Sequence, residues 1–103
     1  MAKPIYKMFM GRFTEAWYQL SAEEQRSLLQ KIDAAQKAAG GKGIIECDSS
    51  WASERWTAFG VEEFPDIEAV QKHSTLLNEL QWYRYFETIT TLGTAFPQPG
   101  DGS

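Results

Sequence analysis

Side chains alternate with a period of two along residues 4–13, Pro-Ile-Tyr-Lys-Met-Phe-Met-Gly-Arg-Phe. Ile5, Lys7, Phe9, Gly11 and Phe13 fall on one face, and Tyr6, Met8, Met10 and Arg12 on the other. Neither face is polar throughout, which predicts a strand covered on both sides. Residues 14–20 read as a connector carrying Trp17 and Tyr18. The period then changes: Leu28, Ile32, Ala35 and Ala39 lie on one helical stripe with Leu29 beside it. Ser21 and Glu24 stand at capping-box spacing before that stripe, and Gly40-Gly41 end it. Strands follow over residues 43–48 and 55–62, joined by a loop. Pro65-Asp66 sets up a second helix with Asp66 as its N-cap and Ile67, Val70, Leu76, Leu77 and Leu80 as its apolar face. Residues 82–85 close that helix, and the β-branched run over 86–92 predicts a last strand.

The element order is βαββαβ, which predicts an α+β, ferredoxin-like fold. Two helices would cover one face of a four-stranded antiparallel sheet and leave the other open. Residues 1–96 are expected to form a single domain and residues 97–103, rich in Pro and Gly, a disordered tail.

Composition narrows the function. Four Trp, four Tyr and six Phe are many for 103 residues, and such side chains favour cores, interfaces and ligand pockets. The net charge is −4 and the ten basic residues are scattered, so a nucleic-acid partner is not expected. No apolar run approaches the length of a membrane span and no signal-peptide core opens the chain, so a cytoplasmic location is expected. A single Cys47 and a single His73 exclude an intramolecular disulfide, a cysteine zinc site and a multi-histidine metal site within one protomer. Gly40-Gly-Lys-Gly43 follows a helix rather than opening one, so it is a helix stop and not a phosphate loop.

The stretch Val61-Glu-Glu-Phe-Pro-Asp-Ile-Glu-Ala-Val-Gln-Lys-His73 resembles the dimeric α+β barrel superfamily, which includes antibiotic-biosynthesis-type monooxygenases, stress-responsive barrel proteins and small polyketide cyclases. The resemblance implies a homodimer formed through the open sheet faces, with a cavity in each protomer. In haem-degrading members a His on the same helix binds iron, and those that break haem also use an Asn on the first strand and a Trp late on the third. Here strand one has no Asn and Trp56 lies early on strand three, so no cofactor is expected.

His73 lies on the apolar side of its helix. An imidazole there can carry protons near neutral pH, or it can be a core histidine satisfied by a backbone carbonyl or a carboxylate. Glu46 and Asp48 share one face of the second strand; Ile45 and Cys47 suit the helix-packed face, which would turn the two carboxylates to the open side. There they would serve as an acid and a base, or be solvated near a strand end. Trp51, Trp56, Tyr83 and Tyr85, together with Tyr6, Met8 and Met10, would line either a pocket for a flat or apolar molecule or a dimer interface. Arg12 would hold an anionic group or an ion pair.

The expected function is a small cofactor-independent enzyme acting on an aromatic or conjugated small molecule by proton transfer, of cyclase, isomerase or cofactor-free monooxygenase type. His73 would be its acid/base, Glu46 or Asp48 the partner, and Tyr83 or Tyr85 the donor to a developing enolate oxygen. The alternative is a non-catalytic small-molecule-binding or stress-response module.

Overall fold

The computed structural model describes residues 3–97. Four strands, β1 (Ile5–Phe13), β2 (Lys42–Asp48), β3 (Ala58–Phe64) and β4 (Phe86–Gly93), form an antiparallel sheet in the order β2-β3-β1-β4. Two long helices, α2 (Ala22–Ala38) and α3 (Ile67–Glu79), cross one face of it. Two single-turn helices, α1 (Glu15–Tyr18) and α4 (Trp82–Tyr85), cover the end where β1 leaves the sheet and β4 enters it. This is the ferredoxin-like arrangement that the alternation and the caps predict. Of the tail expected to be disordered, residues 98–103 lie outside the described residues.

Local chemistry fixes the helix ends. The Ser21 hydroxyl accepts from the Glu24 amide while the Glu24 carboxylate accepts from the Ser21 amide, closing the capping box. Asp66 caps α3 by accepting from the Ala69 amide at 2.8 Å. Past α2, Gly40 has φ 81°, the left-handed geometry that lets a chain leave a helix at little steric cost.

The helix-facing side of the sheet holds two separate apolar clusters. One joins Trp17, Leu77, Trp82 and Phe86 with Phe9, Phe13, Leu28 and Ile32 around it. The other joins Ala39, Phe64, Ala69 and Val70 with Ile5. Gly11 makes room for the first, since a Cβ there would collide with the Phe86 ring. The opposite face has no covering element among the described residues. Met8, Phe59, Ile45 and Ile89 are each at least about two-fifths exposed on it.

Three local features differ from the sequence expectation. The connector after β1 contains α1, because Trp17 is drawn inward and stacks on Phe13 with ring centroids 4.4 Å apart. Strand β3 begins at Ala58 rather than at residue 55, because residues 49–57 close on themselves. There Ser49 donates to the carbonyls of Thr57 and Trp56, and the Trp56 amide donates to the Ser53 hydroxyl. Finally, β2 is turned the other way. Its register pairs Glu46 with Gly60 and Asp48 with Ala58 on the helix side, and Ile45 with Val61 and Cys47 with Phe59 on the open side. An irregularity between Gly43 and Ile45 shifts the phase of the strand there.

Candidate active site

Four elements each place one polar side chain at the same level, between the two apolar clusters. On β1, Lys7 lies between Ile5 and Phe9; on α3, His73 lies between Val70 and Leu77. On β3, Glu62 lies between Gly60 and Phe64, and on α2, Gln36 lies between Ile32 and Ala39. Alternation on the strands and helical spacing on α2 and α3 make this coincidence of level possible. Lys7, Glu62 and His73 are all buried, His73 to 2 % exposure.

The four form a chain of contacts. Lys7 Nζ is 3.3 Å from His73 Nδ1. His73 Nε2 faces Glu62 Oε2 at 3.9 Å, and Gln36 Nε2 donates to that same oxygen at 2.7 Å. The Phe64 ring lies against the imidazole with centroids 5.0 Å apart. Burial pushes the His73 pKa down from 6.5 to about 4, and the adjacent Lys7 pushes in the same direction. Burial likewise holds the Lys7 amine below its usual range, against the opposing pull of Glu62. Two bases this close do not both carry a charge, and the imidazole is neutral at pH 7.

This cluster opens on a cavity of about 790 Å³ between α2, α3 and the sheet. Its walls are aromatic: Phe9, Phe13, Trp82 and Phe86 line it, with Leu29 and Ile32 from α2 opposite. The volume and the mix of apolar walls with a few polar groups suit a small organic molecule. Tyr83 stands at the cavity, and its hydroxyl pKa is raised by burial and then by the charge of Glu62.

The residues singled out from sequence divide into three groups. His73 and Tyr83 line the cavity, as do Glu46 and Asp48, which the reversed face of β2 brings to its edge as exposed groups. Glu46 and Asp48 are not the partners of His73; Lys7 and Glu62 are. Asp48 instead accepts from the Ser50 hydroxyl and amide, which hold its carboxyl below the ordinary range and order the turn. Tyr6, Met8, Met10 and Arg12 lie on the sheet face away from the cavity, where Arg12 pairs with Glu87 at 2.8 Å. Trp51 is 84 % exposed, and Trp56 lies in the 49–57 turn within cation–π reach of Arg12 and Arg55. Tyr85 packs on the larger apolar cluster.

Lys7, Glu62 and Gln36 were not singled out from sequence. The signal was there for two of them: Lys7 interrupts an apolar strand face, and Glu62 falls between Gly60 and Phe64 on the helix-facing side of β3. No group of three or more His, Cys, Asp or Glu among the described residues is placed to hold a metal ion. No helix among the described residues is long and apolar enough to cross a membrane.

Comparison with solved structures bears on the fold. The chain superposes on the RPA0582 protein of Rhodopseudomonas palustris, described as of unknown function, with TM-score 0.68, 15 % identity and coverage of 95 % of this chain and 86 % of that one. It matches a mutant chlorite dismutase from Candidatus Nitrospira defluvii with TM-score 0.73 and 19 % identity, over 94 % of this chain and 42 % of that one. A putative chlorite dismutase, TA0507, matches with TM-score 0.72 and 16 % identity, over 94 % of this chain and 47 % of that one. The chain thus spans less than half the length of the chlorite dismutase chains it resembles. None of the curated proteins is significantly similar to it in sequence. The structural likeness establishes the ferredoxin-like α+β fold. By its sequence, with residues 10–100 matched, the chain belongs to the family of unknown function DUF6616.

Proposed function

We propose that the cavity is the active site of a small enzyme that moves a proton on a flat, conjugated carbonyl compound, using its own side chains. The observation that carries this reading is the polar layer Lys7–His73–Glu62–Gln36, buried at the end of an aromatic-walled cavity. Burying ionisable groups is costly, and apolar side chains would join the two clusters more cheaply. Perturbed titratable groups that meet at a cavity are the usual mark of a reactive site.

In this reading a conjugated substrate lies against Phe9, Phe13, Trp82 and Phe86 with its carbonyl oxygen toward Lys7. The neutral imidazole of His73 takes a proton from the carbon beside the carbonyl and returns it elsewhere on the conjugated system, as in a cyclase or isomerase. Charge growing on the substrate oxygen is met by an N–H of the Lys7 amine and by the Tyr83 hydroxyl. Glu62, fixed by Gln36, balances the positive charge that forms on the imidazole. Two copies of the chain pair through the open sheet face, which the exposed Met8, Phe59, Ile45 and Ile89 support.

The test is solvent exchange. Aromatic 1,3-diketones and related conjugated ketones are incubated with the protein in deuterated buffer, and deuterium uptake at carbon is followed by mass spectrometry. Uptake above the buffer rate that is lost in a folded His73→Gln variant supports the reading. Probes that bind without any exchange would leave a non-catalytic binding module in its place.

A further inference from the structure

We propose that Lys7 is a nucleophile that condenses with an aldehyde or ketone in the cavity to form an imine. This deepens the reading above and rests on it in one respect, that the cavity receives a carbonyl compound.

The geometry is that of an activated nucleophile: a nucleophilic atom, a base within reach, and a third group that orients the base. Lys7 Nζ, His73 Nδ1 at 3.3 Å, and Glu62 Oε2 at 3.9 Å from His73 Nε2 supply the three, and Gln36 holds the carboxylate in place. Among the described residues no carboxylate lies within ion-pairing distance of Nζ, so the amine is not held as one half of a salt bridge. Its neighbour is an uncharged imidazole. Burial favours the free amine over the ammonium, and the free amine is the form that attacks carbonyl carbon. The other lysines carrying described side chains, at positions 3, 31, 37, 42 and 72, are exposed.

The step balances within the site. The Nζ lone pair attacks the carbonyl carbon, and the π pair moves to oxygen. Nζ gives up one proton to His73 Nδ1, which passes it to that oxygen and makes the hydroxyl of a carbinolamine. The remaining Nζ proton follows the same path to the hydroxyl, which leaves as water while the nitrogen lone pair forms the C=N bond. One carbonyl compound and one amine give one imine and one water. The protonated imine is a stronger electron sink than the carbonyl it replaces, so the neighbouring C–H becomes more acidic. Imine formation and proton transfer then act on the same substrate.

The experiment is reductive trapping on the full chain with cinnamaldehyde and cyanoborohydride at neutral pH, followed by peptide mapping. The adduct adds the mass of the aldehyde less one oxygen. The expected result is labelling of Lys7 at least about tenfold faster than of any exposed lysine, slowed about tenfold or more in His73→Gln. Labelling spread over the exposed lysines with no preference for Lys7 overturns the proposal, as does preferential Lys7 labelling that His73→Gln leaves unchanged. The wild-type map alone decides the first point, so the proposal does not depend on a Lys7 variant folding. If Lys7 stays unlabelled while His73-dependent deuterium exchange persists, the imine falls and the proton-transfer reading stands. If both are absent, both fall.

Discussion

Acidification from pH 7 to about pH 5 should destabilise this protein through His73, and substituting His73 by Gln should remove that part of the loss. In the folded protein the imidazole stays neutral down to about pH 4, whereas an unfolded histidine takes up its proton at 6.5. Between those values the unfolded chain binds more protons than the folded one, so stability falls as pH falls. Above about pH 7 the contribution vanishes, and below about pH 4 it is complete, at roughly 3 kcal/mol. At pH 5 about 2 kcal/mol of it is already lost, a midpoint shift of roughly 8–16 °C for a chain of this size. The groups facing the imidazole act in opposite senses: Lys7 from β1 opposes its protonation, and Glu62 from β3 favours it. The assay is thermal or urea unfolding by circular dichroism at a series of pH values, for wild type and His73→Gln. Gln can still accept from Lys7 but cannot titrate, so the difference between the two proteins isolates the histidine from the carboxylates. Parallel curves between pH 7 and 5 would refute the argument, because His73 would then titrate alike in the folded and unfolded chains.

Three further outcomes are expected. Met8→Lys places a charge at the middle of the open sheet face and should convert a dimer to a monomer in size-exclusion chromatography with light scattering, leaving the monomer folded. Gly11→Ala drives a methyl into the Phe86 ring and should cost about 1–3 kcal/mol, measured by urea unfolding. Glu62→Gln removes the negative charge that adds to the effect of burial on Tyr83, so the tyrosine pKa should move down toward its ordinary value in an ultraviolet titration.

Much of the fold was legible because its signals are local. Alternation along β1, the Ser21–Glu24 box, Asp66 as an N-cap and Gly40 as a helix stop each act within a few residues. The face of β2 was not legible, because it depends on the irregularity between Gly43 and Ile45. The expectation also assumed that apolar residues point toward the helices. Here α2 stands off that side to leave a cavity, and Ile45 points instead to the open face, where it is 54 % exposed. His73 was picked out because it is the single histidine on an apolar stripe. Lys7 and Glu62 showed only as polar residues on strand faces; that they meet His73 depends on how α3 packs over β1 and β3, which for Lys7 joins residues 66 apart in sequence.

Helix α2 is moored along one side of its length. Gln25 bonds the Trp17 carbonyl, Leu28 and Ile32 lean on the aromatic cluster, Gln36 bonds Glu62, and past the end Ala39 sits in the smaller cluster. Leu29 and Asp33, beside that line, face the cavity. At a rise of about 1.5 Å per residue its 17 residues make a beam roughly 25 Å long. Long helices curve by small adjustments of each backbone hydrogen bond. A bend in this beam would therefore reach the Glu62 carboxylate through Gln36, which couples the outer wall of the chamber to the polar layer at its end.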